Sequence, residues 1–182
     1  FDETPHTVRD KDYQNLLPLS PGNFGYSVLR ASAQSTNFLE LMDWCRQMDC
    51  DIEGLHCETG PGVWEAALQS QIGIEAADRA NLFKTFAKVY FQKRHMMATF
   101  MAKWSMDYPG QSGHFHFSLC DENDINIFAD GVASHGISEA QRFAVGGLQR
   151  YLPELLPMLA PTINSYTRLV KGAWAPTAAT WG

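Results

Sequence analysis

The sequence lacks any uninterrupted apolar run of the roughly 20 residues that a membrane-spanning helix needs, and it contains no signal-peptide pattern. Positive charge is also scarce. Fourteen lysines and arginines face twenty acids, for a net charge of −6. With no basic stripe to neutralise phosphates, the charge argues against a nucleic-acid partner. The four cysteines (Cys45, Cys50, Cys57, Cys120) make no C-x-x-C pair, and there is no N-x-S/T sequon. Reduced thiols in a cytoplasmic protein are therefore expected, and a zinc site is not. Internal repeats, low-complexity tracts and a clear linker are missing as well. So is an initiator Met: the sequence runs from Phe1 to Trp181-Gly182, and a segment of something longer is expected. What is present is ordinary. With 182 residues, 45% hydrophobic and 19% charged, the sequence suits one domain, or a large piece of one, with a real core.

Residues 1–27 carry Pro5, Pro18, Pro21, Gly22 and Gly25, which predicts loop with at most one short strand. Ser35 or Thr36 can cap a following helix, with Phe38, Leu41, Met42, Cys45 and Met48 at helical spacing. Residues 51–58 and 63–68 read as two strands around Thr59-Gly60-Pro61-Gly62, a hairpin. The strongest helix is predicted over residues 75–95. Ala77, Leu82, Phe86, Val89 and Tyr90 form its apolar stripe, and Lys84, Lys88, Lys93 and Arg94 its wet side. Met96 to Trp104 reads as a buried strand. Residues 121–124 form a turn, not a calcium loop, because Asn126 stands where that loop needs glycine. Ser138 with Gln141 is a capping box for a helix to about Tyr151, where Pro153, Pro157 and Pro161 break the chain. A loop-rich tail carrying Asn164, Arg168 and Lys171 is expected beyond Thr162.

Three places could carry chemistry. In the stretch His114-Phe115-His116-Phe117-Ser118-Leu119, a strand would put His114, His116 and Ser118 on one face and the apolar residues on a core face. An H-x-H of this kind is a surface feature, a satisfied core pair or part of a ligand set, and all three readings stand. Glu58 and Glu65 flank the hairpin turn. Folded together they would repel, and a hard divalent cation such as Mg²⁺ or Mn²⁺ would remove the conflict. The alternative is a pair of solvated glutamates. His56, in register with Glu58, could support that site from behind. Arg168 is either a solvated charge or a bidentate fork for a substrate carboxylate.

Order and spacing add what single residues do not. The run His56-Cys57-Glu58-Thr59-Gly60-Pro61-Gly62-Val63-Trp64-Glu65 resembles the His-x-Glu…Pro-Gly-x-x-Glu segment of the glutamine synthetase family's catalytic domain. Pro109-Gly110-Gln111-Ser112-Gly113, leading into His114 to Leu119, is similar to that family's glycine-rich H-x-H-x-S-L segment. Pro161 to Val170 resembles its N-P-T-x-N-S-Y-x-R-L stretch. The resemblance implies an α+β fold: the central segment of that catalytic domain over residues 1–182, with a curved, mostly antiparallel sheet and outer helices.

It also implies roles. Glu58 and Glu65 match ligands of one divalent ion, and His114 matches a ligand of a second, nearer the ATP phosphates. His116 and Ser118 match nucleotide-contacting positions. Gly110 falls in the loop that touches the glutamate substrate, and Arg168 matches the arginine that grips its carboxylate. The implied reaction has two steps. The γ-carboxylate of glutamate attacks the γ-phosphate of ATP, and an amine then displaces phosphate from γ-glutamyl phosphate, with Mg²⁺ or Mn²⁺ neutralising charge.

The sequence departs from that pattern at Trp174, which stands where ammonia-using members carry a glutamate on a flap. An indole accepts no proton, but it can stack on an alkyl amine or make a cation–π contact. The departure is similar to that of family members that γ-glutamylate polyamines and alkylamines, although flap packing would explain Trp174 equally. An organic amine is therefore the expected acceptor and ammonia the alternative, with a catalytically silent structural or sensing member as a rival. Expected outside residues 1–182 are the family's small N-terminal domain, its paired glutamates and its phosphate-binding arginines. The isolated segment is expected to be inactive. A homo-oligomeric ring, a dodecamer or similar, is expected because family active sites lie between subunits.

Overall fold

In the computed structural model, which describes residues 1–173 and 175–181, the chain enters a helix as early as Thr4. The Thr4 hydroxyl accepts the Thr7 N–H at 3.1 Å, the Thr7 hydroxyl accepts the Thr4 N–H at 3.0 Å, and Pro5 takes the first helical position. Helix α1 (Pro5–Asp10) thus replaces the loop expected there, because proline at a helix start needs no N–H. A second short helix, α2 (Val28–Ala33), opens on Ser27.

Helix α3 (Ser35–Gln47) begins one or two residues earlier than expected. Gln34 stands at its N-cap without a side-chain cap bond, so neither Ser35 nor Thr36 caps it. Hairpin strands β1 (Ile52–Cys57) and β2 (Trp64–Leu68) pair antiparallel, with His56 opposite Glu65 and Cys57 opposite Trp64. A bulge lies between Ile52 and Gly54. Turn residue Gly62 has φ +68°, and a Cβ there would stand 3.0 Å from the Leu19 nitrogen and 3.1 Å from Pro18 Cβ. Only glycine fits without strain.

Helix α4 (Glu75–Gln92) buries Ala87, Tyr90 and Phe91. Leu82 and Val89, expected in its stripe, are more than a third exposed. The buried stripe is rotated toward α3, where Phe38, Leu41 and Cys45 meet it beside Cys50 and Ile52. Fully burying each of the larger of these side chains contributes about 1.5–3 kcal/mol. The Tyr90 hydroxyl donates to the Asn37 carbonyl at 2.6 Å and contacts Glu40 Oε2 at 3.1 Å, and Glu40 also pairs with Arg94. Met96 ends this core. These elements form one compact unit, Phe1–Phe100.

The second unit, Met101–Gly182, is built differently. No ladder forms over residues 96–104 or 111–119, so neither expected strand exists among the described residues. Bonds from Ile127 N–H to the Leu119 carbonyl and from Asp121 N–H to the Ile125 carbonyl tie the flanks of the 121–124 turn. Asp121 Oδ1 accepts the Asn123 and Ile125 amides at 2.8 and 2.9 Å, and these bonds hold its pKa below the usual range. The turn is as expected. Ser138, after the 3-10 turn Ser134–Gly136, caps α5 (Glu139–Leu159) by accepting the Gln141 N–H. This helix continues through Pro153 and Pro157 instead of stopping near Tyr151. Spaced four apart, the prolines share one exposed face, where solvent can satisfy the freed carbonyls. A single-turn helix, α6 (Ile163–Tyr166), interrupts the expected tail. The one sheet among the described residues is the β1–β2 hairpin. No described helix is long and apolar enough to cross a membrane.

Candidate active site

The hairpin places two of the expected metal ligands together. β1 carries His56, with Glu58 just past its end, and β2 presents Glu65 opposite His56. One ligand atom from each of the three lies within 4.8 Å of the others. His56 Nε2 is 3.1 Å from Glu58 Oε1 and 3.7 Å from Glu65 Oε2. The turn glycines make the close return possible, and the side chains stay a quarter to a third exposed. Such a set of two carboxylates and one imidazole suits a divalent cation whose remaining positions are filled by water or substrate oxygens. Mn²⁺ accepts a nitrogen donor more readily than Mg²⁺ does.

Glu58 is shaped by its neighbours. Burial alone would raise its pKa. The Thr59 amide at 2.9 Å, the Tyr26 hydroxyl and His56 outweigh burial and hold it below the usual carboxylate range. The charged form needed for a cation is thereby favoured. The Tyr26 hydroxyl, bonded to Glu58, is held un-ionised to higher pH than usual. Its ring stacks on His56 at 4.8 Å between centroids. The Tyr26 backbone adopts φ +59° and donates to the Cys57 carbonyl at 2.7 Å. Sequence reasoning passed over Tyr26. The available signal was Gly25: a Cβ there would lie 3.0 Å from the Thr59 hydroxyl, so the chain must pass close to the hairpin turn.

In the second unit, Gly110 and Arg168 are in contact. A Cβ on Gly110 would lie 2.5 Å from the Ala102 carbonyl oxygen and 2.8 Å from Arg168 Cδ. Arg168 Nε is buried with no hydrogen-bond partner among the described residues. An arginine Nε–H left like this is a donor awaiting an acceptor such as a carboxylate.

His114, His116 and Ser118 lie on the exposed stretch before the 121–124 turn. The alternation survives without a ladder. The His114 and His116 rings are 6.3 Å apart on one side, and Phe115 and Phe117 stack at 6.2 Å on the other. The aromatic side is not core, however: Phe115 is 81% exposed, and Phe117 and Leu119 about half. Phe117 meets Phe128 edge-on at 5.6 Å. Trp174, expected at the amine, lies outside the described residues.

These features fall within a known class. A sequence profile of the glutamine synthetase catalytic domain matches residues 5–182, and the chain belongs to that family. Among its relatives, it is 45% identical to type-1 glutamine synthetase 2 of Dictyostelium discoideum, over all of this chain and 35% of that protein. It is 31% identical to a glutamate–isopropylamine ligase of a Pseudomonas species, over 97% of this chain and 38% of that one. A gamma-glutamylethanolamide synthetase of Streptomyces coelicolor is 32% identical over the whole chain and 38% of its own length. The chain thus spans a little over a third of the length of these relatives. In fold it is similar to a GmaS/ADP complex, with TM-score 0.78 and 22% identity over 96% of this chain and 38% of that one. The Plasmodium falciparum glutamine synthetase gives TM-score 0.74 at 24% identity, over 81% and 28% of the two chains.

Proposed function

We propose that this chain supplies the metal-binding hairpin and the substrate-carboxylate clamp of an ATP-dependent ligase that joins the γ-carboxylate of glutamate to an amine. The observation that carries the reading is the convergence of His56, Glu58 and Glu65, whose ligand atoms lie within 4.8 Å of one another. Glu58 and Glu65 hold one divalent ion, Mn²⁺ or Mg²⁺, with His56 beside them. His114 contributes to a second. When bound, such ions screen the charge on the phosphoryl group being transferred. His116 and Ser118 contact the nucleotide. Arg168 grips the glutamate carboxylate, and Gly110 lets the loop approach it. The chain is the central segment of a longer catalytic domain whose subunits assemble into a ring. A cytoplasmic setting fits four cysteines that are all free thiols.

The acceptor is an organic amine. Trp174 in place of a flap acid supports this, as does similarity to relatives named for an isopropylamine substrate and a γ-glutamylethanolamide product. A second reading, ammonia as acceptor, has the 45% identity to a protein named glutamine synthetase in its favour. The test is ADP release by the full-length protein with glutamate, Mn²⁺ or Mg²⁺, and a panel of amines. Turnover with alkylamines or polyamines but not ammonia is expected. Equal turnover with ammonia would transfer the assignment to the second reading. Absence of turnover with every amine, together with absence of Mn²⁺ binding, would make the protein a silent member of the family.

A further inference from the structure

We propose that Asn164 is a positioning residue for Arg168: its side chain staples the turn carrying that arginine to the backbone of Lys103. The inference rests on the reading of Arg168 as the clamp for the glutamate carboxylate. Asn164 Nδ2 donates to the Lys103 carbonyl at 2.7 Å, and its Oδ1 accepts the Lys103 N–H at 2.9 Å. One amide thus satisfies the donor and the acceptor of one residue, as a partner strand would, across 61 positions of sequence. Lys103 is only 9% exposed, so water is a poor substitute for either bond.

The turn that bears Arg168 hangs from this point. The Thr167 hydroxyl donates to the Asn164 carbonyl at 2.7 Å, and the Arg168 N–H to the Ser165 carbonyl at 3.2 Å. The same short rail fixes the other side of the clamp. The Gln111 N–H donates to the Ala102 carbonyl at 2.7 Å, and its side-chain amide to the Met101 carbonyl at 2.8 Å. Gly110 and Arg168 are therefore both referenced to residues 101–103, one through Gln111 and the other through Asn164. Contact between Gly110 and the Arg168 stem leaves the stem little room to compensate if one staple is lost. Arg168 Nε, buried and unpartnered among the described residues, is the atom whose placement depends on it.

The test uses the full-length protein with variants N164A, N164D, R168A and the double variant N164A/R168A, measuring KM for glutamate and for ATP separately. Losing two backbone bonds should raise glutamate KM about tenfold in N164A while ATP KM stays unchanged. N164D, which keeps the acceptor and loses the donor, should raise glutamate KM about threefold and serves if N164A fails to fold. In the double variant, glutamate KM should equal that of R168A. Wild-type glutamate KM in folded N164A or N164D overturns the proposal. So does an equal rise in both KM values, a fall in kcat alone, or additivity in the double variant, all of which describe a mere strut. Unchanged glutamate KM in R168A instead removes the clamp reading, and the proposal falls with it. A rise in R168A without one in N164A refutes the positioning role alone.

Discussion

Gly110→Ala is the sharpest test of the clamp, because the structure gives the displacement it forces. A methyl group there would stand 2.5 Å from the Ala102 carbonyl oxygen, and ordinary contact begins at 3.4 Å, so about 0.9 Å must be found. The carbonyl cannot yield freely, since it accepts the Gln111 N–H at 2.7 Å, one residue from the substitution. Arg168 is crowded as well, because its Cγ and Cδ lie 3.0 and 2.8 Å from the new atom and must also give way. Its Cδ, short of ordinary contact by about 0.6 Å, is pushed by that much and carries the guanidinium with it. Misplacement of that size costs on the order of 100-fold in rate when the group orients a substrate. Overpacking against a backbone oxygen should also destabilise the fold, by about 1–3 kcal/mol or somewhat more. The expected outcome for the full-length protein is a fall of about 100-fold in kcat/KM for glutamate, with KM for ATP unchanged. Gly110 has no left-handed φ, so the effect would be steric, and Gly110→Ser should do at least as much harm. Wild-type glutamate kinetics in Gly110→Ala, with the protein folded, would refute the argument that Gly110 and Arg168 form one clamp.

Glu65→Gln and Glu58→Gln should each raise the Mn²⁺ concentration needed for half-maximal thermal stabilisation by at least about tenfold, read from melting temperature against added metal. Because the folded-state pKa of Glu58 is lowered, its contribution to stability is present above its ordinary value of 4.5 and is lost as pH falls through the depressed one. Urea midpoints of wild type and Tyr26→Phe, measured without metal, should therefore differ at pH 7 and converge in acid. Tyr90→Phe should cost about 1–3 kcal/mol, because it strips the bond to the Asn37 carbonyl, and denaturant titration would measure this. The Tyr90 hydroxyl, pushed up to about 12 mainly by burial, contributes stability that is complete below pH 10 and lost toward pH 12. The Phe variant should lack that loss. Gly62→Ala, at φ +68° against Leu19 and Pro18, should destabilise by about 1–2 kcal/mol and weaken Mn²⁺ binding in the same titration.

Local chemistry decided what was legible in the sequence. The hairpin of residues 52–68 could be read because Gly60-Pro61-Gly62 is turn chemistry and the strands that flank it pair with each other. The Ser138 cap could be read for the same reason. Proline misled twice, being read as a break where it stands at a helix start (Pro5) or on an exposed helix face (Pro153, Pro157). The expected strands over 96–104 and 114–119 failed because a strand is defined by a partner, which alternation in one segment cannot supply. The Gly110–Arg168 contact and the Asn164 staple join residues about 60 apart, and nothing in their immediate neighbours announces it. Family resemblance alone pointed to the first, and nothing pointed to the second.

The bulge between Ile52 and Gly54 lies at the open end of the hairpin, away from Glu58 and Glu65. Tolerance to insertion along this ribbon should therefore be lopsided. An extra residue near position 53 can be absorbed where pairing is already irregular. The same insertion inside β2, between Trp64 and Glu65, would invert the paired residues beyond it and turn Glu65 away from Glu58.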